Sequence, residues 1–257
     1  MNNKISVTSL AASSKGNAYY LKCGNTELLI DAGISAKCIC DRLNTLGTDI
    51  RNIKAIFVTH EHIDHVKGLA VLSKKCDIPI HMTEPSAVEY LFRYPETKNI
   101  VEHDLIYKCT LDGLKIRSFY SSHDSIACVG YTFETEDDKF GIATDLGYIH
   151  RDAVDALINC KSVVLESNYD EKKLETGPYP QILKDRIRSD KGHLSNYDCA
   201  AFARFLAENG TRNFMLGHLS EENNTPEIAY NVTSRALADF EDITLKVASR
   251  KEITFFI

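Results

Sequence analysis

His60-Glu61-His62-Ile63-Asp64-His65 follows directly on the apolar run Ala55-Ile56-Phe57-Val58-Thr59. His60, His62, Asp64 and His65 thus bring three imidazoles and a carboxylate to the end of a buried strand. Donors packed that closely are costly to hold together unless a cation organises them. Imidazole and carboxylate suit zinc, manganese or iron better than calcium. On extended chain His60 and His62 share one face. Where the chain then turns into a helix, Asp64 and His65 swing toward a second point. The pattern can serve two adjacent cations.

Working outward, similar donors close later apolar runs. His123 comes shortly after Ile116-Arg117-Ser118-Phe119, Asp145 follows Phe140-Gly141-Ile142-Ala143-Thr144, and His218 follows Asn213-Phe214-Met215-Leu216-Gly217. Ligands gathered at one sheet edge are what a rigid site requires. Strands are also expected at 5–10, 18–21, 27–30, 54–59, 114–119, 129–133, 161–166 and 243–248. A tight turn at Gly24-Asn25 would join the second and third. Helices are expected at 36–46, from about His65 to Lys75, near Glu84-Pro85, and at 151–158, 195–208 and 226–238. Strands that precede helices in each half predict a two-sheet sandwich with helices outside.

The chain has 257 residues, enough for one large domain, and its 44% hydrophobic and 26% charged content is ordinary for a globular protein. Mean hydropathy is -0.22, and no apolar run approaches a bilayer's width. Met1-Asn2-Asn3-Lys4 lacks a signal-peptide core, so cytoplasmic residence and no membrane partner are expected. Eight cysteines without a CxxC pair are read as reduced, and the Cys38-x-Cys40 pair as structural. A net charge of -6 argues against an extended electrostatic grip on nucleic acid. Residues 184–191 (KDRIRSDK) form the one basic stretch, either a phosphate contact or a solvated helix face.

Taken in order, Leu29-Ile30-Asp31-Ala32-Gly33, Thr59 to His65, His123, Thr144-Asp145 and Gly217-His218 resemble the metallo-β-lactamase fold superfamily. The resemblance spans the whole chain and implies one αββα sandwich domain over residues 1–257, an α/β four-layer fold. Ser13-Ser14-Lys15-Gly16-Asn17, Glu166-Ser167-Asn168, Gly177-Pro178-Tyr179-Pro180, Gly192-His193-Leu194-Ser195-Asn196 and the run from His218 to Asn224 look like its WalJ (YycJ) branch. That branch implies a metal-dependent nuclease acting 5′ to 3′ on double-stranded DNA. Glu166 and His193 also fall where the tRNA 3′-processing nucleases carry Glu and His, although this chain reads ESN and HLS there.

The resemblance further implies roles. His60, His62 and His123 would hold one divalent cation, Asp64, His65 and His218 another, and Asp145 would bridge them, with a bridging hydroxide as nucleophile. Asp64, His193 and Glu166 are the candidate catalytic residues, Asp64 taking a proton and His193 giving one or touching phosphate. Asp31 would fix a ligand histidine. Ser14 and Asn17 could meet substrate, Ser195 caps the helix that follows, and Tyr169 and Tyr179 are expected to pack rather than stack on bases. His81, His103 and His150 are read as structural or surface groups. The alternatives are an RNA-processing nuclease of the tRNA 3′-end type, a glyoxalase II-like thioester hydrolase with the same ligand set, and a non-enzymatic scaffold. The scaffold predicts lost ligands, whereas all seven are present. A zinc β-lactamase or a flavodiiron oxidoreductase fits less well, the first for its donors and the second for lack of room for a flavin domain.

Overall fold

The structure, a computed structural model, describes residues 4–257. Met1, Asn2 and Asn3, which carry part of the N-terminal reading, lie outside them. The strands are β1 (Ile5–Ala11), β2 (Ala18–Cys23), β3 (Thr26–Ile30), β4 (Ile53–Phe57), β5 (Ile80–Thr83), β6 (Ile100–His103), β7 (Lys108–Leu111), β8 (Leu114–Tyr120), β9 (Val129–Glu134), β10 (Lys139–Ala143), β11 (Ser162–Glu166), β12 (Asn213–Gly217), β13 (Thr244–Val247) and β14 (Thr254–Phe255). One seven-stranded sheet runs β14-β1-β2-β3-β4-β5-β6 and the other β13-β12-β11-β10-β9-β8-β7. In the first, β3 to β6 are parallel, and in the second, β10 to β13 are. The expected turn at Gly24-Asn25 joins Cys23 to Thr26 as paired residues.

Alternation along the strands explains the layers. Inward residues of both sheets, among them Val7, Tyr19, Leu21, Phe57, Ile116, Tyr131, Phe133, Phe140 and Met215, form one buried cluster. Phe57 meets Tyr131 and Phe133 edge-on at 5.7 and 5.9 Å. Burying each such side chain is worth about 1.5–3 kcal/mol. The outer face of the first sheet packs on α1 (Ala36–Thr45), α3 (Leu69–Lys75) and α4 (Glu84–Arg93). That of the second packs on α5 (Arg151–Leu157), α8 (Asn196–Glu208) and α9 (Pro226–Ala236). Two shorter helices, α6 (Glu171–Thr176) and α7 (Gln181–Arg188), carry a small cluster of Tyr169, Leu174 and Ile187. The result is the expected αββα sandwich. No helix of the described residues is long and apolar enough to cross a membrane.

The helix expected from His65 to Lys75 is instead two pieces, α2 (Ile63–Val66) and α3. The break falls at Lys67-Gly68, where the Gly68 N–H donates to Ala32 O at 2.7 Å. A Cβ on Gly68 would stand 2.7 Å from Ile34 O. Gly33 is tighter still, because a Cβ there would lie 1.6 Å from Asp64 O. Both glycines let the loop after β3 lie flat against the donor segment. β5, α6 and β14 carried no sequence signal that singled them out, and α7 covers most of the basic stretch read as a phosphate contact or a solvated helix face.

Candidate metal centre

Strand register delivers the donors to one edge. Ile30 lies opposite Phe57 in the parallel β3–β4 pair, so Asp31 emerges beside Thr59. Glu166 lies opposite Gly217 in β11–β12, which sets it beside His218. Asp31, Asp145 and His218 each sit just past a strand with φ of 59°, 59° and 55°. Left-handed backbone costs roughly 1–2 kcal/mol for a residue with a Cβ and concentrates at functional sites.

All seven residues read as ligands come together. Ligand atoms of His60, His62 and His123 lie within 4.8 Å of one another, as do those of Asp64, His65 and His218, and those of His60, His65 and Asp145. Asp145 sits between the first two groups. Its Oδ2 is 3.3 Å from His65 Nε2, and its Oδ1 is 3.5 Å from Nε2 of both His123 and His218.

Hydrogen bonds fix which ring nitrogen His60, His65, His123 and His218 present. A carboxylate only accepts, so His65 Nδ1–H donates to Asp31 Oδ2 at 2.8 Å. His218 Nδ1–H donates to Glu166 Oε1 at 2.7 Å, and His123 Nδ1–H to Gly192 O at 3.0 Å. The Thr59 hydroxyl donates to Asp31, which leaves its oxygen to accept His60 Nδ1–H at 3.0 Å. In these four rings Nε2 is the nitrogen left to face the site. His60 Nε2 and Asp145 Oδ2 are buried with no hydrogen-bond partner. Two orphaned buried ligand atoms, amid imidazoles whose Nδ1 atoms are held from behind at His60, His65, His123 and His218, fit divalent cations.

Glu166, fully buried, is saturated. Oε1 accepts from Nδ1–H of both His193 and His218, at 2.8 and 2.7 Å, and Oε2 accepts from the N–H groups of Leu146 and Leu194 at 2.7 and 3.1 Å. Burial opposes its ionisation, but the two imidazoles outweigh that and hold it well below the usual carboxylate range. The sequence reading tied Glu166 to His193 alone. Its second bond, to His218, is a finding of the fold. His193 stacks obliquely on His123 and His218 at 5.0 and 5.2 Å, is slightly exposed, and has no Nε2 partner among the described residues.

Other candidates divide. Asn17 is buried against the ligands, with Nδ2 3.1 Å from His65 Nε2 and 2.9 Å from Ser13 O, so it belongs to the floor of the site rather than to a free loop. Ser14 is exposed and unengaged. The Ser195 hydroxyl caps α8, accepting from Asp198 N–H. Tyr169 is buried in the small cluster beside α7. The sequence reading passed over Thr59, Asn168 (Nδ2–H to His218 O, 2.9 Å) and Glu61. Glu61 accepts from Ser86 and from Ile126 N–H, tying α4 to the loop after His123. Adjacency to the donor run was the one available signal for Thr59 and Glu61.

Two expectations arise here. Asp31→Asn keeps a residue that tolerates positive φ but removes the charge behind His65. It is expected to weaken metal binding by about 10–100-fold, measured by competition with a chromogenic chelator. Unchanged affinity would deny Asp31 that role. The second concerns pH. Burial lowers His65 and His218, yet Asp145 and the neighbouring carboxylates raise both above the ordinary imidazole value, His218 to about 10. Protons and cations compete for the same Nε2. Metal affinity is therefore expected to climb as pH rises from 6.5 toward that value, with protons released on binding. Calorimetry in buffers of different ionisation enthalpy reads both effects, and a flat profile would refute them.

The two-sheet sandwich with this donor-rich edge is the architecture of the β-lactamase superfamily domain, whose pattern matches residues 26–219. The metallo-β-lactamase fold protein YhfI from Bacillus subtilis superposes with a TM-score of 0.71 at 14% identity, covering 98% of this chain and 99% of that one. The protein is thus a metal-dependent hydrolase of that class. It is 37% identical over 235 residues to exodeoxyribonuclease WalJ of Streptococcus pneumoniae, covering 89% of this chain and 87% of the relative. It is 34% identical over 232 residues to exodeoxyribonuclease YycJ of Bacillus anthracis, covering 90% and 88%. The chain belongs to the WalJ and YycJ family of the β-lactamase superfamily.

Proposed function

We propose that this chain, acting as one domain, is a two-cation phosphodiesterase that degrades double-stranded DNA from its 5′ ends. The observation that carries the reading is the Glu166 bridge. It holds His193, a histidine outside the proposed ligand set, against ligand His218 with Nε2 free. As an imidazolium, with Nδ1–H held by Glu166 and Nε2–H free, His193 suits protonation of an alkoxide leaving group. The WalJ and YycJ relatives, both called exodeoxyribonucleases, support DNA as the substrate.

His60, His62 and His123 would hold one cation, and Asp64, His65 and His218 the other, with Asp145 between. Bound zinc, manganese or iron would polarise a phosphoryl oxygen and lower the pKa of water toward ~7. Asp64, whose side chain is 18% exposed, would accept the proton of the attacking water. Glu166 fixes the His193 ring so that Nε2–H can protonate the departing 3′ oxygen. Asp31, Thr59 and the Gly192 carbonyl keep the other rings in the tautomer described above. Eight free thiols suit the reducing cytoplasm.

The test is a manganese-supplemented assay on linear duplex DNA labelled separately at each end, beside a tRNA precursor and a thioester. Progressive loss of 5′ label is expected. Inert DNA with a cleaved RNA precursor would move the protein to the RNA-processing reading. Cleavage of the thioester alone would defeat the nuclease reading and leave the metal centre standing.

A further inference from the structure

The basic stretch 184–191 is not a strip of free cations. The Lys184 ammonium donates to Glu175 O at 2.6 Å and is buried, and Arg188 pairs with Glu175. Arg186 is placed differently. Its Nε–H donates to Asp124 Oδ2 at 2.6 Å, Nη2 bonds the same oxygen, and Nη1 has no partner among the described residues. The other oxygen of Asp124 lies 3.3 Å from His123 Nε2, the atom offered to the first cation. The segment around Arg186 is tied to the same histidine. His193 N–H donates to Ile187 O at 2.9 Å, and the Gly192 carbonyl accepts His123 Nδ1–H. The guanidinium thus stands at the mouth of the site on the His123 side, 54% exposed and held in direction by a carboxylate.

We propose that Arg186, aimed by Asp124, binds a backbone phosphate of the substrate next to the scissile one. This rests on the nuclease reading and deepens it. A guanidinium presents its donors in a planar fork that matches phosphate oxygens. Asp124 takes Nε–H and one Nη2–H, so three N–H groups stay available. The carboxylate anchor leaves less conformational freedom to lose on binding. A chain with net charge -6 cannot rely on overall charge to draw in a polyanion, so an oriented cation beside the reaction centre would help to register it. A single phosphodiester without neighbours cannot use it.

Three measurements on the manganese-loaded protein test this. Fluorescence anisotropy with a labelled, phosphorothioate-protected duplex should show Arg186→Gln raising Kd about tenfold, the loss of one charge-assisted contact. The slope of log Kd against log salt should fall by about 0.9. Asp124→Asn should shift Kd the same way by less, and Arg186→Lys should restore only part. On DNA the rise in KM should exceed that on bis(4-nitrophenyl) phosphate by about the same tenfold. Metal content should not change. Equal Kd and equal salt slope in wild type and Arg186→Gln would overturn the proposal. So would a parallel loss of bound metal, which would mean that Arg186 acts through His123. If the wild-type protein fails to bind duplex at all, the nuclease reading is what fails. Calorimetric titration with inorganic phosphate then still reads the clamp, and matching affinities in wild type and variant would refute it.

Discussion

Asp145→Asn is expected to cut turnover by about 10³–10⁴-fold and to lower the metal bound per chain, while the protein stays folded. Asp145 is 1% exposed, and its two oxygens reach toward His65 on one side and toward His123 and His218 on the other. Among the described residues no other carboxylate is placed against both proposed ligand sets. In the two-cation reading, removing its charge would take away the link between the two ligand sets and several kcal/mol of transition-state stabilisation, and each 1.36 kcal/mol is tenfold in rate. Asn is the informative substitution because Asp145 has φ of 59°, where Asn is at ease and Ala adds about 1 kcal/mol of strain. Metal analysis and steady-state kinetics on the purified variant decide the matter. Near-normal turnover would sink the two-cation reading.

His193→Ala is expected to keep its metal and lose about 10²–10⁴-fold in rate. Glu166 tolerates the deletion, since His218, Leu146 and Leu194 still donate to it. The loss should depend on the leaving group. A 3′ alkoxide needs a proton and 4-nitrophenolate does not, so DNA cleavage should collapse while bis(4-nitrophenyl) phosphate turnover changes little. Equal losses on both would remove His193 from acid catalysis. Loss of bound metal would make it a ligand instead.

The donor run was readable because strand alternation and a helix start are local: His60 and His62 needed only period two, and Asp64 and His65 only the turn that follows. The sandwich was readable from strand-before-helix order in each half. Three things were not. The left-handed turns at Asp31, Asp145 and His218 depend on what the side chain must face, and no residue type there demands them as glycine would. The second bond of Glu166 depends on β11 pairing with β12 in a register that sets it opposite Gly217. The helix expected from His65 to Lys75 failed because Gly68 answers to a close approach by the loop at 32–34, a contact between distant segments. The basic stretch, read as a phosphate contact or a solvated helix face, could not be divided by composition, because Lys184, Arg186 and Arg188 turn to different partners.

The proposed ligands come from both sheets: His60, His62, Asp64 and His65 follow β4, whereas His123, Asp145 and His218 follow β8, β10 and β12. Neither sheet alone can assemble either proposed cation position, and the proposed ligand set is complete only once His218, after β12, is in place. During refolding, tight metal uptake should therefore lag behind strand and helix formation and coincide with the docking of one sheet on the other. A metal-sensitive dye added to a refolding reaction would time that late step, which a far-ultraviolet signal passes over.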